Sequence, residues 1–111
     1  MTGIEYQNLA MRTAAILEEN TDDRMKHGAF GLASEAGEVC GILQKVYQGH
    51  ELDNTHMAKE LGDCLWMIAE ICSAIGITMD EVMQMNIDKL KARYPQGFEA
   101  EKSLHRAEGD I

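Results

Sequence analysis

Between Thr55 and Ile75 the sequence is apolar on almost every side of a helix. Leu61, Cys64, Leu65, Ile68, Cys72 and Ile75 form one stripe, and Trp66, Met67 and Ile71 widen it until little polar surface remains. A helix of that kind belongs at the centre of a fold, packed on more than one side. The chain has 111 residues, enough for one core and not for two. Four helices of this length leave part of the central one uncovered, so a homodimer or a homotetramer built as a dimer of dimers is expected. Eight methionines, Met79, Met83 and Met85 among them, add adaptable apolar surface near the fourth helix.

The remaining segments are helical as well. Thr2 and Glu5 form a capping box, and Ile4, Leu9, Ala10, Thr13, Ile16 and Leu17 follow at helical spacing, which predicts a first helix over residues 3–19. Asn20-Thr21-Asp22-Asp23 is a polar break, and a second helix is predicted over 24–48. Its interior holds Gly28, Gly31, Gly37 and Gly41. Each costs about 0.5–1 kcal/mol relative to alanine. That pattern calls for close approach of another helix or a bend near the site, with Gly28 or Gly31 as the point where the helix would break. Asp53 or Asn54 caps the third helix, and Gly76 stops it. Thr78 and Glu81 form a second capping box, opening a fourth helix that runs to about Arg93, before Tyr94-Pro95-Gln96-Gly97. The reading is an all-α, four-helix bundle forming one domain over residues 1–111, with the polar residues 99–111 as a mobile tail.

The net charge of −9 provides no basic patch for nucleic acid or an anionic membrane. Cys40, Cys64 and Cys72 are odd in number and make no CxxC pair, so they read as buried, reduced thiols. No stretch reaches membrane-spanning length and no leader pattern is visible, which predicts a soluble cytoplasmic protein.

Two acidic pairs carry the chemistry. Glu35 and Glu38 lie in Leu-Ala-Ser-Glu-Ala-Gly-Glu-Val, and Glu60 and Asp63 lie in Lys-Glu-Leu-Gly-Asp-Cys-Leu-Trp. Spacing i, i+3 places both carboxylates of a pair on one helix face, one turn apart. Both pairs sit in apolar sequence, where an unpartnered charge is costly. Two such helices face to face would converge four carboxylates on a hard divalent cation, Mg²⁺ first and Mn²⁺ second. Glu70, two turns after Asp63, reads as a salt-bridge residue rather than a further ligand. The four histidines, His27, His50, His56 and His105, fall at or near helix ends and loops, so zinc and redox iron are poorly served. No glycine-rich phosphate loop of the Walker type is present. Lys45, two turns after Glu38, could reach a phosphate, and Trp66 could stack on a base.

At these residues the chain resembles the MazG-type nucleotide pyrophosphohydrolases of the all-α NTP pyrophosphatase superfamily. Their E-x-x-E and E-x-x-D motifs match Glu35-Ala-Gly-Glu38 and Glu60-Leu-Gly-Asp63, and the ending Asn86-Ile-Asp-Lys89-Leu-Lys-Ala-Arg93-Tyr94-Pro95 is similar to the family's. The resemblance spans roughly residues 4–98. It implies a MazG-like bundle that hydrolyses a nucleoside triphosphate, NTP or dNTP, to the monophosphate and pyrophosphate. Glu35, Glu38, Glu60 and Asp63 would hold Mg²⁺, and Glu38 or Glu35 would position the attacking water. Asn86 and Lys89 match positions near the substrate. Met67 stands where many relatives carry Tyr after the Trp, so base or sugar contacts would differ. The alternative is a non-catalytic helical adaptor that binds nucleotide without hydrolysing it.

Overall fold

The computed structural model describes residues 1–15 and 21–111. Among them are five helices and no strand: α1 Gly3–Met11, α2 Thr21–Tyr47, α3 Asn54–Ile75, α4 Met79–Arg93 and α5 Ala100–Leu104. The all-α expectation holds. By its contacts the chain divides into Met1–Met79 and Asp80–Ile111.

In the first unit α3 packs against both α1 and α2, as its apolar circumference demands. Its ends are set by local chemistry. The Asp53 carboxylate accepts from the backbone N–H of Thr55 (3.0 Å) and His56 (3.1 Å). At the other end Gly76 adopts φ +76° while the Ile77 N–H donates back to the Cys72 carbonyl at 3.0 Å. That is a Schellman closure, which a residue with a Cβ would strain.

The first helix is shorter than its periodicity suggests. It ends at Met11 rather than running to residue 19, and Ile16 and Leu17 lie outside the described residues. Thr13 ends it through both its backbone N–H (3.1 Å) and its hydroxyl (2.7 Å), each donated to the Ala10 carbonyl. The Trp66 indole N–H then donates to the same carbonyl (3.1 Å) and to Thr13 Oγ1 (2.8 Å). A side chain from α3 thus joins the groups that close the end of α1. Gln7 ties the other side. Its amide donates to Ser73 Oγ and the Ile77 carbonyl, both at 3.0 Å, and accepts from the Met79 N–H at 2.8 Å. Between these two anchors Ala69, Cys72 and Met79 are buried beneath Tyr6, Ala10 and Met11.

The second helix runs unbroken from Thr21 to Tyr47, so no break occurs at Gly28 or Gly31. Close approach of α3 is what those two glycines provide. A Cβ built on Gly28 would stand 2.6 Å from Ile71 Cγ1 and 3.2 Å from the Met67 carbonyl oxygen. One on Gly31 would stand 2.4 Å from Met67 Sδ. Gly37 and Gly41 meet nothing within 4 Å. The cysteines depart from the expectation of uniform burial: Cys72 is buried, Cys64 partly so, and Cys40 exposed.

In the second unit the Arg93 guanidinium donates through Nε and Nη2 to Asp110 Oδ2 (2.8 Å) and Oδ1 (2.7 Å). This bidentate pair holds the Asp110 carboxyl below its ordinary pKa. Residues 99–111, read from composition as a mobile tail, therefore contain α5 and a salt-bridged residue near the end. No single helix among the described residues is long and apolar enough to cross a membrane.

The glycines yield an ordered prediction. Gly28→Ala meets backbone and a branched side chain, and should cost about 1–3 kcal/mol of overpacking. Gly31→Ala meets the flexible end of Met67 and should cost less. Gly37→Ala meets open space and should gain up to about 1 kcal/mol of helix propensity. Urea unfolding of the three variants checks this, and a Gly28→Ala protein at least as stable as Gly37→Ala would contradict it.

Candidate metal centre

Contact through Gly28 and Gly31 fixes the register of α2 against α3. Gly28 meets Ile71 and Gly31 meets Met67, so the helices are antiparallel. One turn further along α2 stands Glu35, and one turn back from Met67 along α3 stands Asp63. Three of the four carboxylates expected to converge come together. Glu35, Glu60 and Asp63 each offer a carboxylate oxygen, and these oxygens all lie within 4.8 Å of one another. Ligand oxygens on one hard divalent ion lie at most about 4–5 Å apart, given bonds of 2.0–2.6 Å. The three therefore fit an all-oxygen cation site.

Glu38 stands apart from this group. It is the next turn of α2, exposed, and lines a neighbouring cavity rather than joining the three. Its charge still reaches Glu35. The Glu35 carboxyl is raised above its ordinary pKa, first by desolvation and then by the charges of Asp63, Glu60 and Glu38. A carboxyl whose pKa is raised by neighbouring negative charge favours either a proton or a cation beside it.

Other groups frame the cluster. His56 Nε2 lies 3.2 Å from Glu60 Oε1, one turn before it on α3, and donates to it as an N–H. The Tyr6 hydroxyl donates to the Gly62 carbonyl at 3.4 Å, and its pKa is raised by burial and then by the charge of Asp63. Neither contact was read from the sequence. His56-x-x-x-Glu60 was open to it, since i, i+4 pairs meet on a helix. Tyr6 was not, because only tertiary packing carries it 57 residues along to Asp63.

Glu70 is fully buried, at 0% exposure, and its Oε1 pairs with His27 Nδ1 at 2.5 Å rather than joining the carboxylate cluster. The His27 ring in turn packs edge-on to Trp66, with centroids 6.3 Å apart. Trp66 thus has its N–H engaged by α1 and its ring beside His27. Lys45 lies on the last turn of α2, at the same cavity as Glu38. Asn86 and Lys89 are exposed residues of α4, in the second unit.

An antiparallel helix pair carries E-x-x-E on one member and E-x-x-D on the other, and three of those carboxylates form an acidic cluster with the donor set of a cation site in an all-α fold. The chain belongs to the MazG nucleotide pyrophosphohydrolase domain family, whose model matches residues 25–98. It is also similar to the Gene 37 protein of Mycobacterium phage L5, with 26% identity over 78 residues covering 66% of this chain and 68% of that one. No solved structure matches.

The carboxylate cluster sets the sign of a pH dependence. A carboxyl whose folded pKa is raised contributes stability that is full below its ordinary value of about 4.3 and lost as pH rises through the raised value. In EDTA, Glu35→Gln should therefore melt above the parent protein at neutral pH, and the gap should close in acid. A Glu35→Gln protein that melts lower at neutral pH would contradict the assignment.

Proposed function

We propose that the chain is a Mg²⁺-dependent nucleoside triphosphate pyrophosphohydrolase, with Mn²⁺ able to substitute. The observation that carries this reading is the convergence of Glu35, Glu60 and Asp63 in a MazG-family fold. In it, those three carboxylates hold the cation. A bound Mg²⁺ supplies charge for the phosphate oxygens and lowers the pKa of water. Glu38, outside the group of three and exposed at its edge, is left to orient the attacking water and take its proton. That water oxygen bonds to the α-phosphorus, the bond from the α-phosphorus to the bridging oxygen breaks, and pyrophosphate leaves. His56 holds Glu60 in place. Lys45, beside Glu38, supplies a point charge to the phosphates, and Asn86 and Lys89 of α4 are the residues that the family resemblance assigns to the substrate. Trp66, with its N–H given to α1, serves the fold and has only its ring to offer a base.

The working form is a homodimer or homotetramer. Phe30 (71% exposed), Leu61 (50%) and Leu65 (45%) leave apolar surface open on α2 and α3. Burying such side chains stabilises by about 1.5–3 kcal/mol each. Light scattering at micromolar concentration should give at least twice the chain mass, and a monomer would contradict this.

The activity test is pyrophosphate release from a panel of NTPs and dNTPs, with Mg²⁺ and with EDTA. Release should require the metal, and Glu60→Gln and Glu38→Gln should each lower it by about 100-fold or more with helicity unchanged. Undiminished turnover in either variant would overturn the corresponding role. Nucleotide binding without product would move the reading to a helical adaptor.

A further inference from the structure

A cavity of about 300 Å³ lies between the last turns of α2 and the start of α3, and Glu38 is one of its walls. Glu38, Ile42, Lys45, His50, Asp53 and His56 are on its walls. It joins the cluster at two points: through Glu38, whose charge acts on Glu35, and through His56, whose ring holds Glu60.

Three of its polar groups are already committed. Asp53 accepts from the first N–H groups of α3, so its charge and that helix end satisfy each other. His56 gives Nε2 to Glu60. Glu38 is assigned to the water. The donors that remain are the Lys45 ammonium and the His50 ring, with the Gln44 amide beside them, and none of these side chains makes a hydrogen bond or ion pair among the described residues. Their proximity is built into the backbone. Gly49 takes φ +106°, and the His50 N–H returns to the Lys45 carbonyl at 3.0 Å, folding His50 back over the end of α2.

Size then decides what such a place can hold. Sites for whole small-molecule ligands run from about 300 to 1,000 Å³. This cavity is at the bottom of that range, which matches a short phosphate chain. We infer that it is the subsite for the pyrophosphate end of the substrate, with Lys45 and His50 as its donors and the nucleoside projecting away from it. This rests on the pyrophosphohydrolase reading above. Lys45 is the one fixed cation among the residues lining the cavity, beside Glu38 and Glu51 in a chain of net charge −9. It cannot neutralise pyrophosphate alone, so pyrophosphate should bind only when the neighbouring carboxylates carry their cation.

Calorimetric titration with inorganic pyrophosphate is the test, on the full chain in Mg²⁺ and in EDTA, with Mg²⁺ alone titrated separately. The parent protein should bind pyrophosphate in Mg²⁺ and not in EDTA. Lys45→Ala and His50→Ala should each weaken pyrophosphate about tenfold or more, leave the affinity for Mg²⁺ alone unchanged, and Lys45→Arg should restore most of the loss. Both residues are exposed, so neither substitution threatens folding. Pyrophosphate affinity equal to the parent's in both alanine variants, or no binding to the parent, would overturn the subsite even if triphosphates are hydrolysed. If none is hydrolysed, the enzymatic reading fails alone, and the two alanine variants still decide the subsite.

Discussion

The close approach of α2 and α3 at Gly28 and Gly31 is the contact on which the rest depends. Glycine inside a helix is unfavourable, yet only its lack of a Cβ lets Ile71 and Met67 lie against the α2 backbone. Once those positions are in contact, the antiparallel geometry leaves one arrangement for the turns that follow. Glu35 falls opposite Asp63, and three carboxylates gather that would otherwise repel one another into solvent. The fold thus uses packing energy in one part of the helix pair to enforce an electrostatically unfavourable cluster in another. Such a cluster is ready for a cation.

The buried end of the same helix pair carries a second polar device. Glu70 has no exposed surface, and its one bonded oxygen faces His27, whose side chain is 51% exposed. The pair links α2 to α3 close to Gly28, while Trp66 and Gln7 link α1 to α3. Buried polar contacts of this kind contribute modestly to stability but strongly disfavour alternative registers, because a slipped helix would strand the carboxylate. Register in turn is what the carboxylate site needs.

Much of this was legible in sequence because it is local. Spacing i, i+3 defines a helix face, Asp53 and Gly76 are ordinary cap residues, and apolar encirclement marks α3 as central. What was not legible depended on partners distant in sequence. The end of α1 at Met11 depends on Thr13 acting together with Trp66, 53 residues on. His27 looked like a residue of a helix start until Glu70 arrived from α3. Glycines 28 and 31 were equally compatible with a bend, and only the neighbour that fills their missing side chains decides between the two. Glu38 has the same spacing and the same surroundings as Asp63. It nevertheless stays at the edge, because one turn of α2 carries it past the three gathered carboxylates.

The central claim is that Glu35, Glu60 and Asp63 form one cation site. Titration of Mn²⁺ into the metal-free protein, followed by the paramagnetic resonance signal of the free ion, addresses it without assuming any substrate. The account predicts saturable uptake by the parent protein, and affinity at least about tenfold weaker in Asp63→Asn and Glu35→Gln alike. Uptake that is absent, or that survives both substitutions unchanged, would mean that the three carboxylates do not act as one site.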